Sequence, residues 1–196
     1  NYLNDYLHFI MNMREAFIYY YKNSVSSLNP EIKEFYDDFS KTIIVYGTTR
    51  EIEANHTLAL RFQKTAADRF TEILLPVKKD CEVSEEMLKN NDIILLGGSY
   101  ENNLVKRISD LLGLKFNNSY FEWNGKLYSN SDDGLILVIP NPYNKNRMIT
   151  IFLSNSALQL YNMVKSLPRI PSWALLKGDQ IVDKGYNLTG IKAVKK

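Results

Sequence analysis

Two short apolar segments, each ending at glycine and followed by a helical pattern, most constrain how this chain folds. The first is Thr42–Tyr46, which runs into Gly47, and the second is Asp92–Leu96, which runs into Gly97 and Gly98. Apolar, β-branched runs of this length are typical of strands buried on both faces, as in a parallel sheet. Because such sheets carry their functional loops at the carboxyl ends of the strands, we expect a candidate site beside these glycines.

Between residues 42 and 113 the pattern alternates between strand and helix. A helix is predicted from about Glu51, a second strand at Glu72–Leu75 that Pro76 ends, and a short helix capped by Ser84. A further helix is predicted from about Glu101 to the residue before Gly113. This order implies right-handed crossovers and three parallel strands.

The second half of the chain has a different pattern. Asn124-Gly125 between two β-prone runs predicts a hairpin, and Gly178-Asp179 predicts another near the end. The strands Leu135–Ile139 and Arg147–Leu153 are too close in sequence for a parallel crossover, so they should be antiparallel. A helix is predicted at Ser156–Leu167. We therefore predict an α/β fold with a three-layer, Rossmann/flavodoxin-like mixed sheet, parallel in its first half and antiparallel in its second.

The sequence divides into two parts. Residues 1–40 are predicted to form a helical N-terminal segment and linker, and residues 41–196 a single α/β domain with a hairpin insertion near 118–130. The N-terminal segment carries an apolar, mostly aromatic stripe at helical spacing: Tyr2, Tyr6, Phe9, Met13, Phe17 and Tyr20. Such a stripe favours packing on an upstream domain of the same polypeptide or on a second copy of the chain. Because the sequence begins with Asn1 rather than Met, we expect a fragment or a processed product.

Composition excludes several classes of partner. The net charge of +2 gives no strong field to recruit nucleic acid, and we expect no nucleic-acid partner. No apolar run approaches the roughly 20 residues of a spanning helix, so no membrane insertion is expected. A single cysteine, Cys81, excludes an internal disulfide framework.

The first glycine loop, Gly47-Thr48-Thr49-Arg50, combines free backbone N–H groups, two hydroxyls and a guanidinium at the start of a helix. These groups are suited to a phosphate or carboxylate, and the loop resembles the phosphate loop of flavodoxins, without its second glycine and full run of hydroxyl residues. The alternative is a plain turn with Thr48 or Thr49 as the helix N-cap. The loop fits neither the dinucleotide fingerprint nor the Walker pattern, so no cofactor is predicted.

The second glycine loop is Gly97-Gly98-Ser99, and Asn102 and Asn103 follow it. A hydrolase nucleophile elbow needs a glycine where Glu101 stands, and a serine nucleophile needs a histidine base. The chain has only two histidines, and neither is placed for this role, so no catalytic residue is predicted. The residues stay candidates for ligand binding, with a glycine turn feeding a helix as the alternative.

A third candidate is the proline-stiffened loop before the strand at 147–153. Its polar and aromatic residues Asn141, Tyr143 and Arg147 are expected at the same sheet edge as Gly47 and Gly97. A purely structural wide turn is the alternative.

An acidic cluster surrounds Cys81, formed by Asp80, Glu82, Glu85 and Glu86. A calcium loop needs a central glycine that this segment lacks, so we predict a solvated helix entry and no metal site.

Several segments together resemble an uncharacterised α/β domain that follows the catalytic domain in bacterial prolyl-oligopeptidase-like or esterase-like α/β-hydrolase proteins. The resemblance covers roughly residues 42–153, and a weaker resemblance is found at residues 180–185. The matching pieces are Ile44-Val45-Tyr46-Gly47-Thr48, Glu53-Ala54-Asn55, Pro76-Val77-Lys78 with Asp80 and Glu82-Val83-Ser84, Asn91 to Gly98 with Asn102 or Asn103, and Pro140-Asn141-Pro142 with Arg147. It implies an accessory role and a catalytic serine in a separate domain. The location stays unknown from the sequence, and a periplasmic or secreted one is favoured.

Two functions follow. The first is a non-catalytic accessory or interaction domain of a larger, exported bacterial hydrolase. The second is a stand-alone domain that binds a small molecule or anion, or acts on it as a hydrolase, at the carboxyl ends of its strands. The second predicts a pocket at those strand ends, and the first predicts an apolar helix surface that needs a partner.

Overall fold

The computed structural model describes residues 41–68, 74–98, 100–112, 115–117, 119–166, 170 and 172–185. The predicted N-terminal helical segment at 1–40 and the candidate Ser99 lie outside the described residues.

Ten strands and four α-helices occupy the described residues. The strands are β1 (Thr42–Tyr46), β2 (Val77–Lys79), β3 (Asp92–Leu96), β4 (Lys115–Asn117), β5 (Tyr120–Trp123), β6 (Lys126–Tyr128), β7 (Asp133–Pro140), β8 (Met148–Ser154), β9 (Trp173–Lys177) and β10 (Gln180–Gly185). The helices are α1 (Ile52–Ala66), α2 (Glu85–Asn90), α3 (Asn103–Leu112) and α4 (Ala157–Ser166).

Seven strands form one sheet in the order β10-β9-β7-β8-β3-β1-β2. Strands β2, β1, β3 and β8 run parallel to their neighbours in that series, whereas β7 is antiparallel to both β8 and β9, and β10 is antiparallel to β9. The predicted α/β class, the mixed sheet and the antiparallel pairing of β7 with β8 are confirmed. The parallel pairing of β8 with β3 was not predicted.

Alternate side chains of the central strands enter two apolar clusters, as the period of two in a strand requires. Ile44 of β1 lies in one cluster with Leu58 and Phe62 of α1 and Met163 of α4. The neighbouring residues of β1 and β3 pack instead with α2, α3 and β5, where Leu88, Val105, Ile108, Phe121 and Trp123 are buried. The central strands are therefore buried on both faces, which is why their sequences are continuously apolar.

The second strand differs from the prediction. It lies after Pro76, at Val77–Lys79, and Leu74 and Leu75 precede it without regular structure. Residues 72 and 73 of the predicted strand lie outside the described residues. Because β2 is the edge strand of the sheet, its residues are only partly buried and two of the three are lysines, which is typical of a protected edge.

The two predicted hairpins are present. Asn124 and Gly125 have φ values of 50° and 75°, as a tight turn of the primed type requires, and they join β5 to β6. Strand β4 adds to β5 and was not predicted. Trp123 of this small sheet packs on Trp173 of the large one, with ring centroids 5.6 Å apart. Gly178-Asp179 joins β9 to β10.

Candidate functional site

The carboxyl ends of β1, β3 and β8 lie at one edge of the sheet, because these three neighbours are parallel. The chain passes from β1 to β2, which lies on one side of β1 in the sheet. After β3 it passes to β7 and β8, which lie beyond β3 on the opposite side. In open α/β sheets, the edge where the connections diverge in this way is the usual place for a ligand crevice. The two predicted glycine loops meet there.

The loops after β1 and β3 touch through backbone atoms. A Cβ added at Gly47 would lie 2.0 Å from the carbonyl oxygen of Glu101, so only glycine fits. The N–H of Thr49 donates to the same carbonyl at 3.1 Å. This contact explains the first glycine by close packing between loops rather than by phosphate binding.

Asp80 joins three loops at this edge. Its carboxylate accepts a hydrogen bond from the hydroxyl of Thr48 at 2.5 Å and one from the N–H of Asn103 at 2.7 Å. The residue is buried, so the prediction of a solvated acidic cluster is wrong for Asp80, while Glu82, Glu85 and Glu86 are exposed as predicted. A buried carboxylate needs such donors, and both come from residues that were predicted to bind a ligand.

The side chain of Asn102 makes four hydrogen bonds within the protein. Its amide nitrogen donates to the carbonyls of Val45 and Leu96 at 3.4 and 3.2 Å, and its side-chain oxygen accepts from the N–H groups of Leu104 and Val105 at 3.0 and 3.2 Å. It is the N-cap of α3 and has no hydrogen-bonding capacity left for a ligand. The neighbouring side chain of Asn103 is exposed.

A cleft of about 350 Å³ opens beside the loops that follow β1 and β3. Its walls come from the loop after β1, the loop after β3, and the start of α4 after β8. The predicted residues that line it are Arg50, Gly97 and Gly98; those the sequence did not indicate are Glu51, Asn55, Glu101, Ser154, Asn155, Ser156, Ala157 and Leu160. This volume falls at the small end of the range of known ligand sites.

Charges of both signs surround the cleft. The guanidinium of Arg50 lies 5.9 Å from the centre of the Tyr100 ring, in a cation–π arrangement. Glu51 adopts a left-handed conformation, with φ of 48°, just before α1. Glu101 is partly buried, and its carboxylate accepts the N–H of Gly98 at 2.8 Å. The described residues that line the cleft therefore include two carboxylates, those of Glu51 and Glu101, and one guanidinium, that of Arg50.

The third predicted loop lies elsewhere, and the expectation that it shares the edge of Gly47 and Gly97 is wrong. Since β7 is antiparallel to β8, Pro140 pairs with Met148, at the amino end of the parallel strands. Asn141, Tyr143 and Arg147 follow Pro140 and so stand at the opposite edge of the sheet.

The residues of that loop have structural partners. Asn141 is buried and donates to the carbonyl of Leu88 at 2.6 Å. The guanidinium of Arg147 lies 3.9 Å from the buried carboxylate of Asp92. Tyr143 packs under Arg107, whose guanidinium is 5.2 Å from the ring centre. These contacts fit the wide structural turn that was the alternative.

The cleft residues that sequence reasoning missed lie mostly at Ser154–Ala157, where β8 passes into α4. The hydroxyl of Ser156 accepts the N–H of Gln159 at 3.1 Å and so caps α4. A serine pair before an apolar helix could have indicated the cap. Its place in the cleft depended on the unpredicted pairing of β8 with β3.

Within the described residues, no helix is long and apolar enough to cross a membrane. The same part of the chain holds no group of three or more side chains suited to bind a metal ion. Comparisons of the sequence with known protein families and with curated proteins find no match.

Proposed function

We propose that this domain binds a small polar organic molecule in the cleft at the carboxyl ends of β1, β3 and β8. One observation carries the proposal: an open cleft of about 350 Å³ lies where the connections of the parallel strands diverge. We also propose a three-layer, flavodoxin-like classification of the sheet, because its first three strands have the order β2-β1-β3 of that topology and a further parallel strand, β8, lies next to β3.

The rigidity of the surrounding loops supports a binding role. Asp80, Asn102 and the Gly47–Glu101 contact hold the cleft walls without using Arg50 or Asn155 in those contacts. A preformed cleft of this kind loses little conformational entropy when it takes up a ligand.

Protein-observed NMR with a fragment library tests the proposal. We expect hits to shift the backbone resonances of Gly97, Gly98 and Ala157. Ala157→Phe should fill the cleft and remove these shifts, whereas Leu158→Phe, at the neighbouring exposed position outside the cleft, should retain them. Hits that shift other surfaces, or that survive Ala157→Phe, would contradict the proposal.

A second candidate is the accessory or interaction domain of a larger exported hydrolase. The helices α1 and α4 carry exposed apolar side chains, with Leu60 at 44%, Leu158 at 71% and Tyr161 at 37% exposure, and these favour a protein surface as partner. An immunoblot of the native cells tests this candidate. A band far above 22.7 kDa is expected for an accessory domain, and a band near 22.7 kDa would oppose it.

A further inference from the structure

The two glycines of the cleft already use their backbone donors within the protein. The N–H of Gly97 donates to the carbonyl of Phe152 at 3.1 Å, and the N–H of Gly98 donates to Glu101 at 2.8 Å. Neither glycine therefore offers its N–H to an anion. This differs from a phosphate loop, in which such groups point at the ligand.

The hydroxyl donors of the cleft are used as well. Ser154 donates its hydroxyl hydrogen to the carbonyl of Ser156 at 2.7 Å, and Ser156 donates its own to the carbonyl of Ser131 at 2.6 Å. A serine has one hydrogen to donate, so both hydroxyls can only accept from a ligand.

Two amide side chains present their oxygens in the same way. Asn55, only 5% exposed, donates from its nitrogen to the carbonyls of Gly47 and Arg50 at 3.2 and 2.7 Å. Asn155 donates to the carbonyls of Tyr128 and Asn130 at 3.1 and 2.9 Å. Because these partners are all carbonyl oxygens, each amide orientation is fixed and Oδ1 is left to accept. Among the described residues, no donor meets Oδ1 of Asn55.

We propose that the cleft selects a ligand with a protonated amine, which Glu101 and the amide oxygen of Asn55 accept. This inference rests on the proposed binding function. An ammonium has three donors and no acceptor, and the described cleft residues offer acceptors to it: the carboxylates of Glu51 and Glu101, the amide oxygens of Asn55 and Asn155, and the hydroxyl oxygens of Ser154 and Ser156. Charge-assisted hydrogen bonds to Glu101 give the selectivity, and Glu51 adds to the negative potential.

Of the described residues that line the cleft, Arg50 alone has a cationic side chain. It is exposed, and its guanidinium lies over the Tyr100 ring. With Glu51 and Glu101 beside it, its charge is more than balanced, so Arg50 does not make the cleft an anion site. We expect Arg50→Ala to leave amine binding unchanged or to strengthen it.

NMR titrations with n-butylamine, n-butyrate and n-butanamide test the inference, since these probes share chain length and differ in headgroup charge. We expect only the amine to saturate the shifts of the cleft residues. Glu101→Gln should weaken amine binding about tenfold, because the amide keeps an acceptor for Gly98 but loses the charge. Glu122→Gln, which removes a carboxylate that is paired with Lys115 and does not line the cleft, should leave it unchanged.

The outcomes separate the two proposals. Butyrate or butanamide binding in the cleft without the amine would overturn the amine inference and leave the binding function standing. Equal amine affinity in the wild type and Glu101→Gln would overturn the role of Glu101. If no probe binds while fragments sensitive to Ala157→Phe do, the amine inference fails alone. If no fragment enters the cleft either, both proposals fail.

Discussion

The hydroxyl of Thr48 donates a 2.5 Å hydrogen bond to the carboxylate of Asp80, 32 residues further along the chain. The same carboxylate also accepts the N–H of Asn103. One buried side chain therefore fixes the loop after β1 against the start of α3, and the cleft walls depend on it.

Replacing Asp80 should destabilise the fold. Asp80→Ala leaves the hydroxyl of Thr48 and the N–H of Asn103 without their acceptor, and we expect a loss of about 2 kcal/mol in the free energy of unfolding. Urea denaturation measures it. The control is Asp68→Ala, which breaks an exposed pair with Lys64 at 2.9 Å and should cost at most about 0.5 kcal/mol. Equal losses in the two variants would argue against the linking role of Asp80.

Gly47 should tolerate no side chain. Gly47→Ala places a Cβ 2.0 Å from the carbonyl oxygen of Glu101. Because that oxygen belongs to the backbone and cannot turn aside as a flexible side chain could, we expect a loss of about 3 kcal/mol in the free energy of unfolding. Gly178→Ala is the comparison, because Gly178 has φ of 61° but open space around it. Its cost is left-handed strain alone, about 1 kcal/mol. Thermal unfolding of both variants should show the larger drop in melting temperature for Gly47→Ala.

Asn102 and Asn103 are adjacent and chemically identical, yet they should respond very differently. Asn102→Ala removes a helix cap and leaves two carbonyls and two N–H groups without that partner, at a cost of about 3 kcal/mol. Asn103→Ala keeps the backbone N–H that bonds Asp80, and its side chain is exposed, so a change within about 0.5 kcal/mol is expected. Chemical denaturation of the two variants under one condition gives the comparison, and similar losses would contradict this account.

The sequence predicted the buried strands well because burial on both faces leaves a continuous apolar run, as at Thr42–Tyr46 and Asp92–Leu96. It failed at β2, because an edge strand carries a weaker hydrophobic signal. Glu72–Leu75 is more apolar than the strand that forms at Val77–Lys79. A run of apolar residues in the sequence reflects how deeply a strand is buried, and a strand at the edge of a sheet is buried less than a central one.

The candidate site was predicted only in part for a different reason. Gly47 and Gly97 were found because a strand followed by glycine is a local signal. The position of Arg147 depended on whether β8 pairs with β3, a contact between distant segments that no local pattern encodes. The acceptor role of Asn55 depends on its two carbonyl partners, which only the folded chain brings together.

Tyr46 should make the stability fall at alkaline pH. Burial raises the pKa of its phenol above the ordinary 10.0, and the nearby carboxylates of Glu82 and Glu53 raise it further, against the opposing effect of Lys79. As pH rises through 10.0, the unfolded chain releases this proton before the folded one does. The free energy of unfolding therefore decreases until the pH exceeds the folded pKa.

Tyr46→Phe removes this contribution, so the variant should lose less stability than the wild type between neutral pH and a pH above 10.0. Urea denaturation across that range measures the difference between the two proteins. Ionisable groups that do not interact with Tyr46 contribute equally to both proteins and cancel. The comparison at neutral pH, where the phenol is protonated in both states, isolates any packing change from the substitution.

Burial also raises the pKa of Tyr128, so some alkaline loss should persist in Tyr46→Phe and diminish further in the double variant with Tyr128→Phe. Parallel pH profiles for the wild type and Tyr46→Phe would show that the phenol titrates alike in the folded and unfolded chain.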